Sequence, residues 1–292
     1  MDPALLIKWA MTVSLLLIVF GLGLRATFAD AAFLFRDLFR SPHRLLRAIV
    51  AMFLVVPAIA VAMAMLFDLP QPVKVALLAM AVSPMPPILP GKQMKFGGEA
   101  RFVYGLLVSV SLVAIVVVPL AVEVLAWLFR RDVHVSVRVI ATAIAVTILA
   151  PLGAGLLLRH VAERAAERLA PWVAQFGTVL LIGSGAFILV NAYAAIALLV
   201  GSGAIVAFVA LAVLGIAVGH GLGGPNPRER TVLAIAAPMR HPGVAIAIAH
   251  ATFPNDPLSP AAILLMLVVG VIVTTVYGRL RSPSNGDETK LA

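Results

Sequence analysis

Arg240 and His241 stand side by side in Ala237-Pro238-Met239-Arg240-His241-Pro242-Gly243, within an otherwise apolar segment. A guanidinium is always charged and presents a planar fork of donors, so it can grip a carboxylate or phosphate through two hydrogen bonds. The imidazole beside it titrates near neutrality and can carry a proton. A second stretch, Ser83-Pro84-Met85-Pro86-Pro87-Ile88-Leu89-Pro90-Gly91-Lys92, sets another cation at the end of a proline cluster. Each of these residues also has a structural reading. Arg240 can answer backbone carbonyls freed at an interrupted helix, whose C-terminal dipole welcomes positive charge. His241 can cap the resumed helix, and Lys92 can be an ordinary residue of a basic loop. Covalent chemistry finds no support. The chain has no cysteine, which removes thiol nucleophiles, disulfides and thiolate metal sites, and it shows no paired carboxylates, no His-Glu-x-x-His and no activated serine. The expectation is a protein that is not an enzyme and has neither a metal centre nor a cofactor.

Both stretches must interrupt the helix in which they lie, because proline supplies no N–H and biases its neighbour away from helix. In hydrocarbon each unpaired N–H or C=O costs several kcal/mol, so irregular backbone survives at membrane depth only beside protein or a water-filled cavity. Pro84, Pro86, Pro87, Pro90 and Gly91 in the first break, and Pro238, Pro242 and Gly243 in the second, are therefore expected to form the backbone of one cavity near the midplane. Two interrupted segments in corresponding places of two halves point to the substrate site of a secondary transporter. Arg240, His241, Lys92 and Met239 are its candidate substrate-binding residues.

The rest of the chain fits a membrane setting. Of its 292 residues 62% are hydrophobic and 12% charged, far from the roughly half apolar and quarter charged make-up of a soluble domain. The net charge of +9 lies between apolar runs and not along one face, which argues for topology and against nucleic acid. A span needs about 20 apolar residues, and nine segments qualify: 4–24, 48–67, the broken 73–97, 102–129, 135–158, two within 172–219 that turn at Asn191-Ala192-Tyr193, the broken 231–250, and 260–278. Pro57 and Pro151 predict kinks. Arg25 to Arg47 reads as a basic loop and 159–170, RHVAERAAERLA, as an amphipathic stretch on the membrane surface. Gly183-Ser184-Gly185 and Gly201-Ser202-Gly203 suggest close helix packing.

The basic residues set the orientation. With the N-terminus outside, the inner segments collect 16 Lys and Arg against 5 outside, and intramembrane Arg240 completes the 22. The positive-inside rule then puts the C-terminus in the cytoplasm of a cell whose inner membrane holds the protein. One transmembrane domain at 1–282 is expected, followed by a disordered cytoplasmic tail at 283–292. Within it, repeat one (4–129) and repeat two (135–278) match as inverted five-helix repeats if the first has lost its leading helix.

The order of spans and the two breaks resemble the bile acid:sodium symporter family, over nearly the whole chain. The family's first break reads approximately P-G-G-T-A-S-N with a following K-G-D step, and anchoring on Pro84 places Gly97-Gly98-Glu99 on that step. Its second reads approximately E-x-G-M-Q-N-S-G-L-A, and anchoring on Gly243 places Met239 on the family's methionine. Many members show nine spans in place of ten. The resemblance implies an all-α fold whose broken helices cross at the midplane, and symport of an organic anion with sodium. Yet the family's Ser-Asn sodium ligands fall on Leu89 and Pro90, its Glu on Ala236 and its Gln on Arg240, and no leucine or alanine side chain ligates Na⁺. Related arsenite carriers rely on a cysteine this chain lacks. The reading is a carrier of a small organic anion by alternating access, in which Arg240 stands as a permanent cation where relatives hold sodium and H⁺ through His241 is the other candidate coupling ion. A channel, or a sensor that does not transport, is the alternative.

Overall fold

The computed structural model describes residues 3–37, 43–130 and 137–281, and every regular element among them is helical. The expected tail at 283–292 lies outside the described residues. Among the described residues six helices are long and apolar enough to cross a membrane: His43–Leu66, Ala100–Leu128, Ile140–Val161, Glu163–Asn191, Ala204–Leu222 and Ser259–Arg281. The other apolar segments contain the shorter helices Trp9–Gly23, Gln71–Val82 and Pro242–Thr252, of which Gln71–Val82 leads into the first break and Pro242–Thr252 leaves the second.

The chain enters as α1 (Pro3–Gly23). The basic segment after it, expected as a loop, is partly helical. Thr27 Oγ1 accepts from Asp30 N–H at 3.1 Å and Asp30 Oδ2 accepts from Thr27 N–H at 2.9 Å, a capping box that starts α2 (Phe28–Ala31), and α3 (Phe33–Asp37) follows. Next come α4 (His43–Ile49), a π-helical turn at Val50–Val55 and α5 (Val56–Leu66) in one continuous rod. Pro57 accounts for the π-turn: its ring would strike the carbonyl four residues back, and the backbone widens so that Val56 N–H reaches Ala51 O, five back. The first broken segment consists of α6 (Gln71–Val82) and α7 (Leu89–Lys95), and α8 (Ala100–Leu128) leaves it.

The device at Pro57 recurs at Pro151. Between α9 (Val137–Ile144) and α10 (Ala150–Val161) lies a second π-turn, Ala145–Leu149, whose last N–H, from Ala150, reaches Ala145 O. The surface stretch at 159–170 is not a separate element. It is divided at Ala162, and its larger part forms the first turns of α11 (Glu163–Asn191). A 29-residue helix is roughly 44 Å long at 1.5 Å per residue, more than the ~30 Å of hydrocarbon, so its apolar remainder is long enough for a crossing without its polar first turns. The expected reversal at Asn191 takes two steps. After it the chain forms α12 (Tyr193–Leu199), turns again through Gly201 and Gly203 at φ 94° and 82°, and only then enters α13 (Ala204–Leu222). Gly201-Ser202-Gly203 is thus a turn and not a packing face, since only glycine adopts such φ values without strain. The second broken segment is α14 (Pro227–Ala236) and α15 (Pro242–Thr252), and α16 (Ser259–Arg281) ends the described chain.

Two packing groups result. In one, α1 lies along α10 and α11. A Cβ on Gly23 would run into the carbonyl of Leu152 and the Cα of Gly155, and one on Gly155 into the carbonyl of Phe20, so these glycines, and not Gly183 or Gly185, bring two helix backbones together. In the other, α13 packs on α14 and α16, while α6 runs against α5, α15 and α16. This second group holds both breaks.

Candidate functional site

The first break begins where α6 reaches Ser83, and its prolines dictate which backbone groups go unpaired. The carbonyl of Ser83 would ordinarily be met by the N–H three or four residues on, but those positions are Pro86 and Pro87, which have none. Met52 loses its partner for a related reason. Val56 N–H has gone to Ala51, and the next residue along, Pro57, has no N–H to offer.

Arg240, in the second break, fills both vacancies. Its Nη1 donates to Ser83 O at 3.2 Å and its Nη2 to Met52 O, while its Cζ lies 5.8 Å from the centroid of the Phe53 ring. The side chain is 1% exposed, and no carboxylate among the described residues forms an ion pair with it. Its Nε is buried without a partner. The adjoining backbone completes the crossing: His241 N–H donates to Pro84 O at 2.9 Å. His241 is also the N-cap of α15, its Nδ1 accepting from Val244 N–H at 3.4 Å. An imidazole that accepts at Nδ1 is neutral there and carries its proton on Nε2.

In front of this crossing lies a cavity of about 1040 Å³. One wall is the two breaks, through Pro84, Pro86, Pro87, His241, Pro242 and Gly243. The opposite wall is built by α1 (Met11, Thr12), by the π-turn ahead of Pro151 (Thr147, Ile148) and by the far end of α11 (Phe187, Asn191). Ile140 and Ile144 of α9 extend the same wall. Polar side chains are few. Thr147 Oγ1 donates to Ala143 O at 2.6 Å and Asn191 Nδ2 to Phe187 O at 2.8 Å, so both spend donors on their own helices. The cavity therefore suits a large, mostly apolar body that needs few polar contacts.

Of the four candidate substrate-binding residues, His241 lines this cavity and the others stand behind it. Arg240 is turned toward the carbonyls. Lys92 Nζ donates to Val271 O at 2.8 Å and to Thr274 Oγ1 at 2.6 Å, tying α7 to α16. Met239 is 2% exposed, with its Sδ against Gly270 of α16. Among the backbone candidates, Pro238 packs beside Gly215 of α13, and Pro90 and Gly91 belong to α7, away from the cavity. Leu89 and Ala236, two of the positions on which the sodium ligands fall, are buried side chains of the apolar core.

Sequence reasoning missed the carbonyls of Met52 and Ser83, the π-turn lining at Thr147, and Gln93. The last donates from Nε2 to Val232 O at 3.0 Å and leaves Oε1 buried without a partner. A signal for the two carbonyls was present: each lies just upstream of prolines that withhold the N–H it needs.

Residues 12–217 match the model of the family described as the Sodium Bile acid symporter family. No curated protein matches the chain. The match takes in well over half of the chain, including the later part of α1, the first break and the second π-turn, and it ends ahead of the second break. The chain belongs to the sodium bile acid symporter family.

Proposed function

We propose that this member of the sodium bile acid symporter family is a secondary transporter of an amphipathic organic anion, working by alternating access of the group that holds the breaks against the group of α1, α10 and α11. The observation that carries the reading is the 1040 Å³ cavity set between the two groups, with the crossed breaks as one wall. Its apolar lining favours a substrate with a sizeable hydrocarbon body. Two features favour a negative charge at the end that meets the breaks. The N-terminus of α15 opens at Pro242 and Gly243 with its positive dipole end, and the charge of Arg240, which no described carboxylate offsets, lies one residue from the cavity wall.

Arg240 is a built-in cation in this reading. Carbonyl oxygens are hard-cation ligands, and here the guanidinium rests on two of them while Leu89, Pro90 and Ala236 bring no ligand side chain. Transport is then independent of sodium at these positions. His241 is the candidate for proton coupling: protonation at Nδ1 would remove the acceptor that caps α15, worth about 1 kcal/mol, and so would link a proton to the geometry of the break. The nine-span arrangement in inverted repeats, with the N-terminus outside the inner membrane and the C-terminus in the cytoplasm, belongs to the same proposal and rests on the charge bias and on the order of the apolar helices. So does a more direct part for Lys92, Met239 or Arg240 in holding the anion in another state of the cycle.

Counterflow in proteoliposomes tests the reading. Labelled amphipathic carboxylate should accumulate against an internal pool of the same compound, with Na⁺ replaced by an inert cation. A channel or a non-transporting sensor gives no exchange.

A further inference from the structure

The helix α15 separates two cavities. Val244 and Ala247 face the large one, whereas Ile248, Ala249 and Thr252, further round and further along the helix, face a cleft of about 360 Å³. The other walls of the cleft are one face of α6 (Val75, Leu78, Ala79) and the last turns of α8 (Val122, Leu125, Ala126). Its lining is apolar except at one rim, where Gln71, Lys74 and Thr252 stand. Lys74 is the only charged residue of the lining, and among the described residues its ammonium has no hydrogen-bond or ion-pair partner.

Two observations indicate what fills the cleft. Trp127, on the same last turns of α8, is 79% exposed, and Phe67, just before α6, is 58% exposed. Exposed aromatic rings at helix ends mark the headgroup level of a bilayer, where long basic side chains also reach out. The cleft thus runs from the headgroup level down into the apolar layer, with a free ammonium at the top and hydrocarbon-lined walls below. An anionic headgroup with an acyl chain beneath it has that order of charge and apolarity.

We propose that the cleft between α6, α8 and α15 binds an anionic phospholipid, with the phosphate at Lys74 and one acyl chain between the three helices. The bound chain touches the half-helix that leads into the first break and the one that leaves the second, so its presence bears on the geometry of the crossing from behind. Free phosphate offers the ammonium the same charge but nothing to the apolar walls.

The test uses purified full-length protein and reads lipid binding alone, so it stands or falls separately from the transport reading. Phosphatidylglycerol, phosphatidylcholine and inorganic phosphate are titrated, and the unfolding midpoint and the lipid retained in native mass spectra are followed. Phosphatidylglycerol should raise the midpoint by about 3 °C or more over phosphatidylcholine and persist on the protein. Lys74→Gln should erase the difference between the two lipids, and Ala126→Phe, which fills the cleft, should remove retention of the chain. Should Ala126→Phe fail to fold, the comparison of headgroups in Lys74→Gln decides. Equal shifts with both lipids, an undiminished preference in Lys74→Gln, or the same shift from inorganic phosphate would each overturn the proposal.

Discussion

Arg240 donates from Nη2 to the carbonyl of Met52, 188 residues away in the chain, and that carbonyl is vacant because Pro57 has no N–H to give it. With Ser83 O on Nη1, one guanidinium closes two gaps that prolines opened in two separate helices. Hydrogen bonds to charged groups contribute about 1.5–3 kcal/mol each, enough to offset much of the insertion cost of ~2.5–3.5 kcal/mol for an arginine at the centre of a span.

Pro57 and Arg240 are then energetically coupled. Arg240→Met should be strongly destabilising alone, and Pro57→Ala only mildly so. In the double variant the new N–H at position 57 is free to serve Met52 O, so the loss of Arg240 should cost less, with a coupling of about 1–2 kcal/mol. Unfolding midpoints of the four proteins measure it; strict additivity would mean that the proline does not create the vacancy.

Sodium replacement examines the charge of Arg240. Wild-type uptake or exchange should continue when Na⁺ is replaced by an inert cation. Arg240→Lys should keep the charge but reach only one carbonyl, giving weaker activity and lower stability, while Arg240→Gln should lose anion transport. An absolute Na⁺ requirement in the wild type would rule out the built-in cation.

His241 can be divided into its two roles by substitution. Asparagine is a good N-cap but does not titrate, so His241→Asn should keep α15 in place. If protons drive the cycle, the pH dependence of transport should flatten in this variant, at little cost in stability. An unchanged pH profile would leave His241 as a cap and a cavity wall only.

The cavity itself can be filled. Ala247 is exposed and faces it, so Ala247→Trp should lower substrate affinity and exchange at least tenfold while the unfolding midpoint stays near wild type. Gly23→Val provides the opposite pattern, since its side chain would meet the backbone of α10 and overpacking costs about 1–3 kcal/mol; Gly153→Ala, with open space around it, is the neutral control.

Reporter fusions address orientation. One placed after Ala292 should be active only as a cytoplasmic reporter, and one ahead of Met1 only outside. Activity of the C-terminal fusion in the periplasm would reassign the crossings between Trp172 and Gly219.

The places where helices stop were open to sequence reasoning because a missing N–H is a property of the proline itself, whatever surrounds it. Ser83 to Leu89 and Ala237 to Pro242 could be found in this way, as could the apolar runs; at Pro57 and Pro151 the expected kinks take the form of π-turns. The same logic applied five residues upstream would have found the vacant carbonyl of Met52. What answers a vacancy is another matter. The side chain of Arg240 had two destinations of equal chemical merit, an anion or a pair of carbonyls, and only the approach of α14, α6 and the π-turn before Pro57 decided between them. Lys92 likewise read as a substrate-binding residue or an ordinary loop cation until α16 brought Val271 O and Thr274 Oγ1 to it. The cavity was expected from the two breaks, but its other wall was beyond sequence, because only packing brings α1, α9 and α11 to face them. Apolar residues that line a cavity follow the same pattern as those that fill a core, and only packing separates the two.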